Sequence, residues 1–256
     1  MNHSDHSTDN GVVEILNKDA KSPVVLVCEH ASSYIPAEFE DLGLSEDALK
    51  SHAVWDPGAM ALTTRMADTL DAVLVASKVS RLVYDCNRPP EAPDAMPGQS
   101  EVIAVPGNLG LSAHQRAARV ARYYQPFRTS VAKVMAHKAA PILVTLHSFT
   151  PVYHGVPRAV EIGVLHDSDD RLAEALLTLA KGMVPYDVRR NQPYGPEHGV
   201  THTLKEHALP AGHLNVMLEV RSDLIADASA QDRMARTLSD WVAQACVRVG
   251  ADPCGV

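Results

Sequence analysis

Three side chains that can bind a metal or transfer a proton follow short apolar segments of the sequence. The runs VVLV, ILVTL and VML end close to His30, His147 and Glu219, respectively. A continuous apolar run between helix breakers is typical of a strand that is buried on both faces of a sheet. Because open α/β sheets bind ligands beyond the carboxyl ends of their strands, we expect these three side chains to share one crevice.

The residue types in this set fit the chemistry of a zinc hydrolase. Such sites use three ligands drawn from histidines and carboxylates, and they leave a fourth position for water. Bound zinc makes that water acidic, and a nearby carboxylate takes its proton. We therefore predict Zn²⁺ as the cofactor, His30 and His147 as the imidazole ligands, and Glu219 as the general base.

The third zinc ligand should be a carboxylate near the exit of the first apolar segment. Glu29 is adjacent to His30, but neighbouring residues of an extended chain point to opposite faces. Asp56 stands before Pro57 at the start of a helical pattern and is the predicted ligand. The alternative role for Asp56 is an N-cap ahead of a proline in the first helical turn.

Further polar side chains near the predicted crevice are candidates for substrate binding. Arg221 lies two residues beyond Glu219, on the same side of an extended strand, so its guanidinium can bind a carboxylate; the alternative is a salt bridge with Glu219. Asn87 and Arg88 open a proline-rich loop and allow the same interpretation, with a solvated loop charge as the alternative. His202, between two threonines, is predicted to orient substrate or stabilise an oxyanion, or else to cap a helix.

The elements that must position these residues alternate between strands and helices. Apolar runs predict strands near residues 24–30, 73–78, 82–85, 142–147, 160–165, 186–189 and 216–220. Helical spacing and capping residues predict helices at 45–50, 60–70, 112–138 with a kink at Pro126, 169–181 closed by Gly182, and 228–249. This order predicts an α/β fold, a three-layer sandwich with a mostly parallel mixed sheet.

Composition limits the class of protein and its partners. The 256 residues, 46% hydrophobic and 21% charged, fit one globular domain over residues 1–256, with residues 1–20 as a partly flexible tail. The formal net charge of -8 argues against a nucleic-acid partner. Since no apolar run approaches about 18 residues and the first residues lack a signal-peptide pattern, we expect no membrane partner and a cytoplasmic location.

The cysteines offer a second, weaker route to catalysis. None of the four is in CxxC spacing, which favours reduced thiols over a disulfide framework. Cys28 precedes His30 by two residues and could pair with it as a thiol nucleophile. A cysteine within an apolar strand is usually inert packing, so the metal-based interpretation is preferred.

Six segments, in this order, resemble the N-formylglutamate amidohydrolase family: VCEHAS (27–32), WDPGA (55–59), RLVYDCNRP (81–89), LHSF (146–149), GVTHT (199–203) and LEVRSD (218–223). The resemblance covers about residues 22–250. It implies a zinc-peptidase (phosphorylase/hydrolase)-like fold and hydrolysis of an N-acyl, classically N-formyl, amino acid in histidine breakdown. It also implies the zinc ligands and catalytic carboxylate named above, and it places Asn87, Arg88 and Arg221 where substrate carboxylates would be held.

We therefore expect a metal-dependent hydrolase that cleaves the amide bond of a small anionic N-acyl amino acid such as N-formylglutamate. One alternative is a zinc amidase acting on peptidoglycan peptides or other larger amides. Another is a metal-stabilised binding protein without turnover, which would need Glu219 to be salt-bridged away from the site. A cavity closed by the loop at 87–110 would favour the small substrate, and an open groove would favour the larger amide.

Overall fold

The computed structural model describes residues 11–253. The first part of the predicted flexible tail lies outside that range, and the described part belongs to the folded domain. Val13–Leu16 forms a strand that pairs antiparallel with residues 74–77. The tail prediction was therefore too long, because this short segment gains a ladder of hydrogen bonds at the edge of a sheet.

A seven-stranded mixed sheet forms the centre of the described chain. Its strands are β1 (Val13–Leu16), β2 (Val24–Cys28), β3 (Val73–Ser77), β6 (Ile142–Phe149), β9 (Ile162–Leu165), β10 (Val188–Arg190) and β11 (Asn215–Arg221). Two separate hairpins consist of β4 (Gln99–Ser100) with β5 (Ile103–Ala104) and of β7 (Val152–Tyr153) with β8 (Val156–Pro157). The sheet order is β1-β3-β2-β6-β11-β9-β10. Within this seven-stranded sheet, two of the six strand pairs, β1–β3 and β11–β9, are antiparallel and the other four are parallel, so the predicted mostly parallel sheet is confirmed.

Helices cover both faces of this sheet and bury two hydrophobic cores. The helices are α1 (Glu46–Leu49), α2 (Ala59–Leu70), α3 (Ala113–Arg119), α4 (Gln125–Ala136), α5 (Arg171–Met183), α6 (His202–His207) and α7 (Ala228–Arg248). Helices α2, α5 and α7 pack on one face, around Leu62, Leu176 and Trp241. Helices α4 and α6 cover the other face with Phe127 and Leu204. The predicted three-layer α/β sandwich is thus the observed fold.

Three predicted elements differ from the structure. Residues 82–85 form turns rather than a strand, because Ser80 accepts hydrogen bonds from the backbone of Val83 and Tyr84 and no sheet strand pairs there. The predicted helix at 112–138 runs from α3 into α4 through a π-helical turn at Val120–Tyr124, and Pro126, which has no N–H to donate to the preceding turn, directly follows this irregularity. Gly182 lies inside α5 rather than after it.

The parallel strands at the centre of the sheet bring the predicted reactive residues to one edge. Strands β2, β6 and β11 are neighbours and run in the same direction. His147 and Glu219 are register partners on β6 and β11, and His30 follows the end of β2. The crevice beyond these carboxyl ends is therefore the place where the side chains meet.

Candidate active site

Three buried side chains converge beyond the ends of β2 and β6. His30 Nδ1 lies 3.2 Å from Asp56 Oδ2, and His147 Nδ1 lies 2.9 Å from the same oxygen. The two Nδ1 atoms are 3.1 Å apart. Each residue is only 3% exposed. The structure thus brings together the three predicted metal ligands, which we call the ligand cluster.

The backbone around Asp56 explains why its carboxylate faces the histidines. The Asp56 N–H donates to the carbonyl of His30, and the Ser148 N–H donates to Asp56 Oδ2. Gly58, with a φ of 81°, turns the chain, and a Cβ at that position would lie 2.7 Å from the carbonyl oxygen of Ile225. Gly58 itself is the N-cap of α2. The alternative that Asp56 acts as the side-chain cap is therefore wrong.

The outer nitrogen of each histidine faces a second carboxylate. His30 Nε2 lies 2.7 Å from Asp85 Oδ1 in a hydrogen bond, whereas His147 Nε2 lies 3.2 Å from Glu29 Oε2 in an ion-pair contact without hydrogen-bond geometry. A carboxylate at this position favours a proton on Nε2 and leaves the Nδ1 lone pair for a metal. Carboxylate–histidine–metal triads of this kind are the usual way in which proteins orient imidazole ligands.

The donor set fits a divalent cation. With protons on both Nε2 atoms, two imidazole lone pairs and a carboxylate oxygen face one another inside a buried site, and a cation is the partner that this arrangement lacks. Two nitrogens and one oxygen, all within 4.8 Å of one another, match the ligand number and type of a catalytic zinc site. Ligands in tetrahedral positions around zinc lie roughly 3.3 Å apart, which is close to the observed distances of 2.9–3.2 Å.

The charges in the cluster also favour an ionised carboxylate. Burial raises the pKa of Asp56, but His30 and His147 lower it more, so the net pKa lies far below its usual range. Burial lowers the pKa of His147, whereas Glu29 and Asp56 raise it well above its usual value. This mutual attraction holds the three side chains together, and a divalent cation would take the place of the imidazolium charge.

Glu219 lies beside the cluster and differs from the other carboxylates. Burial, helped by the charge of Asp56, raises the pKa of Glu219 to about 7, and the charges of His147, His30 and Arg81 only partly offset this effect. Its Oε2 atom has no hydrogen-bond partner among residues 11–253. A buried carboxylate with a free oxygen and a pKa near neutrality is suited to accepting and returning a proton.

The cluster and Glu219 form the floor of a cavity of about 290 Å³. Loops and the two hairpins supply the walls, which include His52, Arg81, Ser100, Glu101, Thr150, Tyr153, Tyr194 and His198. Ser100 and Glu101 belong to the loop at 87–110, whose closure over a cavity was the feature expected to favour a small substrate. Glu101 connects two walls, because it accepts hydrogen bonds from His52 Nε2 and the His154 N–H.

Asn87 and Arg88 line this cavity, but their polar atoms are already bonded to the protein. The Asn87 amide donates to the carbonyl of Val200 and accepts from the backbone and hydroxyl of Thr203. The Arg88 guanidinium donates to Asp94 and to the carbonyls of residues 87, 198 and 199. Both side chains therefore tie the proline-rich loop to the segment that precedes α6.

Arg221 is not among the residues that line the cavity, in contrast to its predicted role. Its guanidinium bonds Asp223 and Glu161 and donates to the carbonyls of Arg158 and Ala159. The predicted alternative, a salt bridge with Glu219, is also absent from the ion pairs of residues 11–253. The chain turns away from the strand at residue 222, which gives this arginine acidic partners outside the cavity.

His202 does not lie in the cavity either. It begins α6, where its Nε2 lies 2.8 Å from the hydroxyl of Tyr124. It lines a separate groove with Pro89 and Arg128. The predicted roles in substrate orientation and oxyanion stabilisation therefore have no geometric basis, and the cap of α6 is Thr201 rather than His202.

The sequence interpretation missed three residues of the site. Glu29 does point away from His30, as the alternation predicts, but that direction leads to His147 on the neighbouring strand. Asp85 ends the segment that was predicted to be a strand, and Arg81 directly precedes that segment; Arg81 donates to both Asp85 and Asp56. The available signal was that all three residues lie within the segments at 27–32 and 81–89 that resemble the family.

Comparison with known proteins agrees with this geometry. A family model described as N-formylglutamate amidohydrolase matches residues 22–226. The structure of gene product Atu2144 from Agrobacterium tumefaciens is 51% identical, with a TM-score of 0.92 over 93% of this chain and 96% of that chain. N-formylglutamate amidohydrolase from Ralstonia eutropha JMP134 is 16% identical and has a TM-score of 0.68 over 93% of this chain and 98% of that chain. A sequence comparison with curated proteins gave no match.

The family match and the site cover the same part of the chain. The matched residues include the ligand cluster, Arg81, Asp85 and Glu219. The more distant structure shares the fold, and the more similar one aligns over nearly its whole length. The chain belongs to the N-formylglutamate amidohydrolase family.

Proposed function

We propose that the protein hydrolyses the amide bond of a small N-acyl amino acid, such as N-formylglutamate, with a divalent metal, zinc in our assignment. The observation that carries this proposal is the ligand cluster, in which two imidazole lone pairs and a carboxylate oxygen meet beside the free oxygen of Glu219. Zinc bound there would polarise the amide carbonyl and make a water molecule acidic.

The residues of the chain would perform the proton transfers and orient the reactants. Glu219 accepts a proton from the attacking water and passes it to the nitrogen of the departing amine, a role that its pKa of about 7 suits. Arg81 holds the outer oxygens of Asp56 and Asp85, and its side chain remains 30% exposed towards the cavity. We assign to Arg81 the contact with the substrate carboxylate that the sequence interpretation gave to Arg221.

The walls of the cavity favour a small substrate over a large amide. The β4–β5 hairpin closes one side through Glu101, and its contact with His154 joins it to the β7–β8 hairpin. The proposed partner is accordingly a small anionic N-acyl amino acid, without a nucleic-acid or membrane partner, in the cytoplasm. None of the helices within residues 11–253 is long and apolar enough to cross a membrane.

The test is a Glu219→Gln variant of the zinc-loaded protein, assayed by amine release from a panel of N-formyl and N-acetyl amino acids. Because glutamine keeps the shape but cannot accept the proton, we expect kcat to fall by about 10²–10⁴-fold with bound zinc unchanged. Glu14→Gln, at an exposed position of β1, is the matched control. A Glu219→Gln variant with near wild-type kcat would exclude Glu219 as the base, and a wild-type protein inactive on the whole panel would refute the proposed function.

A further inference from the structure

A tyrosine on the loop between β10 and α6 faces the cavity with its hydroxyl held by an arginine. Arg158 donates to the hydroxyl oxygen of Tyr194 over 2.9 Å, and Tyr194 lines the cavity together with Glu219 and Arg81. The hydroxyl donates to no acceptor among residues 11–253. Since a phenol that accepts a hydrogen bond keeps its own proton to give, Tyr194 offers a directed donor to whatever occupies the cavity.

The loop that carries Tyr194 lies directly against the strand next to Glu219. Gly163 on β9 is the register partner of Glu219 on β11. A Cβ added to Gly163 would lie 2.0 Å from the carbonyl oxygen of Gln192, so only glycine allows the loop to approach this closely. The Asn191 N–H also donates to the carbonyl of Val164. These contacts fix the tyrosine loop one strand away from the proposed general base.

Arg158 is itself held in place by its surroundings. Its guanidinium lies 4.4 Å from the ring centroid of Tyr153, 5.0 Å from that of Tyr194, and it donates to the carbonyl of Thr150. Arg221 donates to the carbonyl of Arg158 over 3.2 Å. The arginine that was predicted to contact substrate therefore supports the backbone of a second arginine, which in turn orients the tyrosine.

We infer that Tyr194 donates a hydrogen bond to the acyl oxygen of the substrate as negative charge develops on that oxygen, with Arg158 as its positioning residue. This inference rests on the proposed function. The acyl oxygen is the assigned acceptor because Tyr194 lines the same cavity as Glu219 and its loop packs on the strand that pairs with Glu219, the residue proposed to activate the attacking water. Burial and the charge of Glu219 raise the pKa of Tyr194, so the hydroxyl keeps its proton at neutral pH.

The first measurement is steady-state kinetics of zinc-loaded Tyr194→Phe with the best N-formyl amino acid of the panel. Loss of one donor to a developing oxyanion should lower kcat by roughly 10²-fold and leave KM within about threefold, because the contact strengthens only in the transition state. Tyr34→Phe, at a 60% exposed position, controls for loss of a hydroxyl. A kcat within about twofold of wild type, or a change in KM alone, would overturn the inference.

A double-mutant cycle tests the role of Arg158. A contact that only stabilises the fold would not give the non-additive effect on kcat that we expect. Arg158→Met should lower kcat in the wild-type background and have little further effect in the Tyr194→Phe background, since the two residues act through one hydroxyl. Independent, multiplicative effects would show that Arg158 does not act through Tyr194. Melting temperatures of all four proteins separate lost turnover from lost folding.

A binding measurement keeps the outcome independent of turnover. N-phosphorylglutamate carries a tetrahedral anion where the acyl carbon would be, and calorimetry gives its Kd for each zinc-loaded protein. We expect Tyr194→Phe to bind it roughly 10-fold more weakly than wild type. Equal affinities would overturn the inference and leave the proposed function intact, whereas a wild-type protein that neither binds this probe nor releases amine would refute both.

Discussion

The ligand cluster and the outer wall of the cavity, which comprises His52, Glu101, Tyr153 and His198, are built in different ways. The cluster stands at strand ends, and each histidine has a carboxylate behind it. The wall stands on loops and hairpin tips, where Glu101 and His154 both have positive φ angles. Non-glycine residues in that region persist only where surrounding contacts hold them, and here the contact is the bond between the two tips.

This difference separates the part of the site that performs the chemistry from the part that selects the substrate. A sheet edge holds the ligand cluster rigidly, because parallel strands fix the spacing of its side chains. The wall depends on a few side-chain contacts between loops and can change without disturbing the sheet. Substitutions in the cluster should therefore change metal binding and rate, whereas substitutions in the wall should change affinity and selectivity.

The largest expected effect is loss of the metal. His30→Ala and His147→Ala each remove one of three ligands, so zinc content and amine release should both collapse. In the wild type, zinc at 100-fold excess over its Kd should add about 2.7 kcal/mol to the free energy of unfolding. Metal analysis and melting curves with and without zinc give the result. Stoichiometric zinc in both variants would show that the metal, if any, lies elsewhere.

A smaller effect is expected from the carboxylates behind the histidines. Asp85→Asn and Glu29→Gln keep the side-chain shape but weaken the preference for a proton on Nε2, so zinc affinity should fall by about 10–100-fold. Competition with a chelator measures this affinity. Asp94→Asn is the matched control for Asp85, since it pairs with Arg88 outside the cluster. Unchanged zinc affinity in both variants would mean that the carboxylates serve only to stabilise the fold.

The sequence was most informative where strand periodicity decides the position of a side chain. His30, His147 and Glu219 follow apolar runs, and their meeting at one edge is a consequence of parallel pairing. Arg221 was misplaced because the chain leaves the strand immediately after it, and nothing in the local pattern shows that turn. His202 was misplaced because its partner, Tyr124, lies 78 residues away. Asn87 does line the cavity, but the sequence did not show that its amide is bonded to Thr203, 116 residues away. Loop packing of this kind depends on contacts that no local spacing encodes.

Asn87 tests whether a cavity-lining residue is structural. Its buried amide makes three hydrogen bonds to residues 200–203. Asn87→Ala should cost about 1–3 kcal/mol of unfolding free energy, because it leaves buried groups of that segment unpaired. Chemical denaturation measures the loss, and KM measured on the folded fraction tests for a direct role. A raised KM with unchanged stability would restore the predicted contact with substrate.

The smallest effect, and the most direct test of the wall, is expected from Glu101→Gln. Burial raises the pKa of Glu101, but the hydrogen bonds from the His154 amide and His52 lower it by more. The net pKa lies below its usual value, so the side chain is ionised at neutral pH. A negative charge in the wall opposes an anionic substrate. Removing it should therefore lower KM for N-acyl amino acids by a few-fold, while glutamine still accepts from the His154 N–H.

Two controls make this prediction specific to charge. The decrease in KM should shrink at high salt, because ions screen charges at a solvent-exposed wall, and it should vanish for a substrate whose carboxylate is amidated. Zinc affinity and kcat should remain at wild-type values, because Glu101 contacts His52 and His154 rather than the ligand cluster. If Glu101→Gln instead lowers zinc affinity or kcat, the wall and the cluster are coupled through the cavity, and the division of roles between them does not hold.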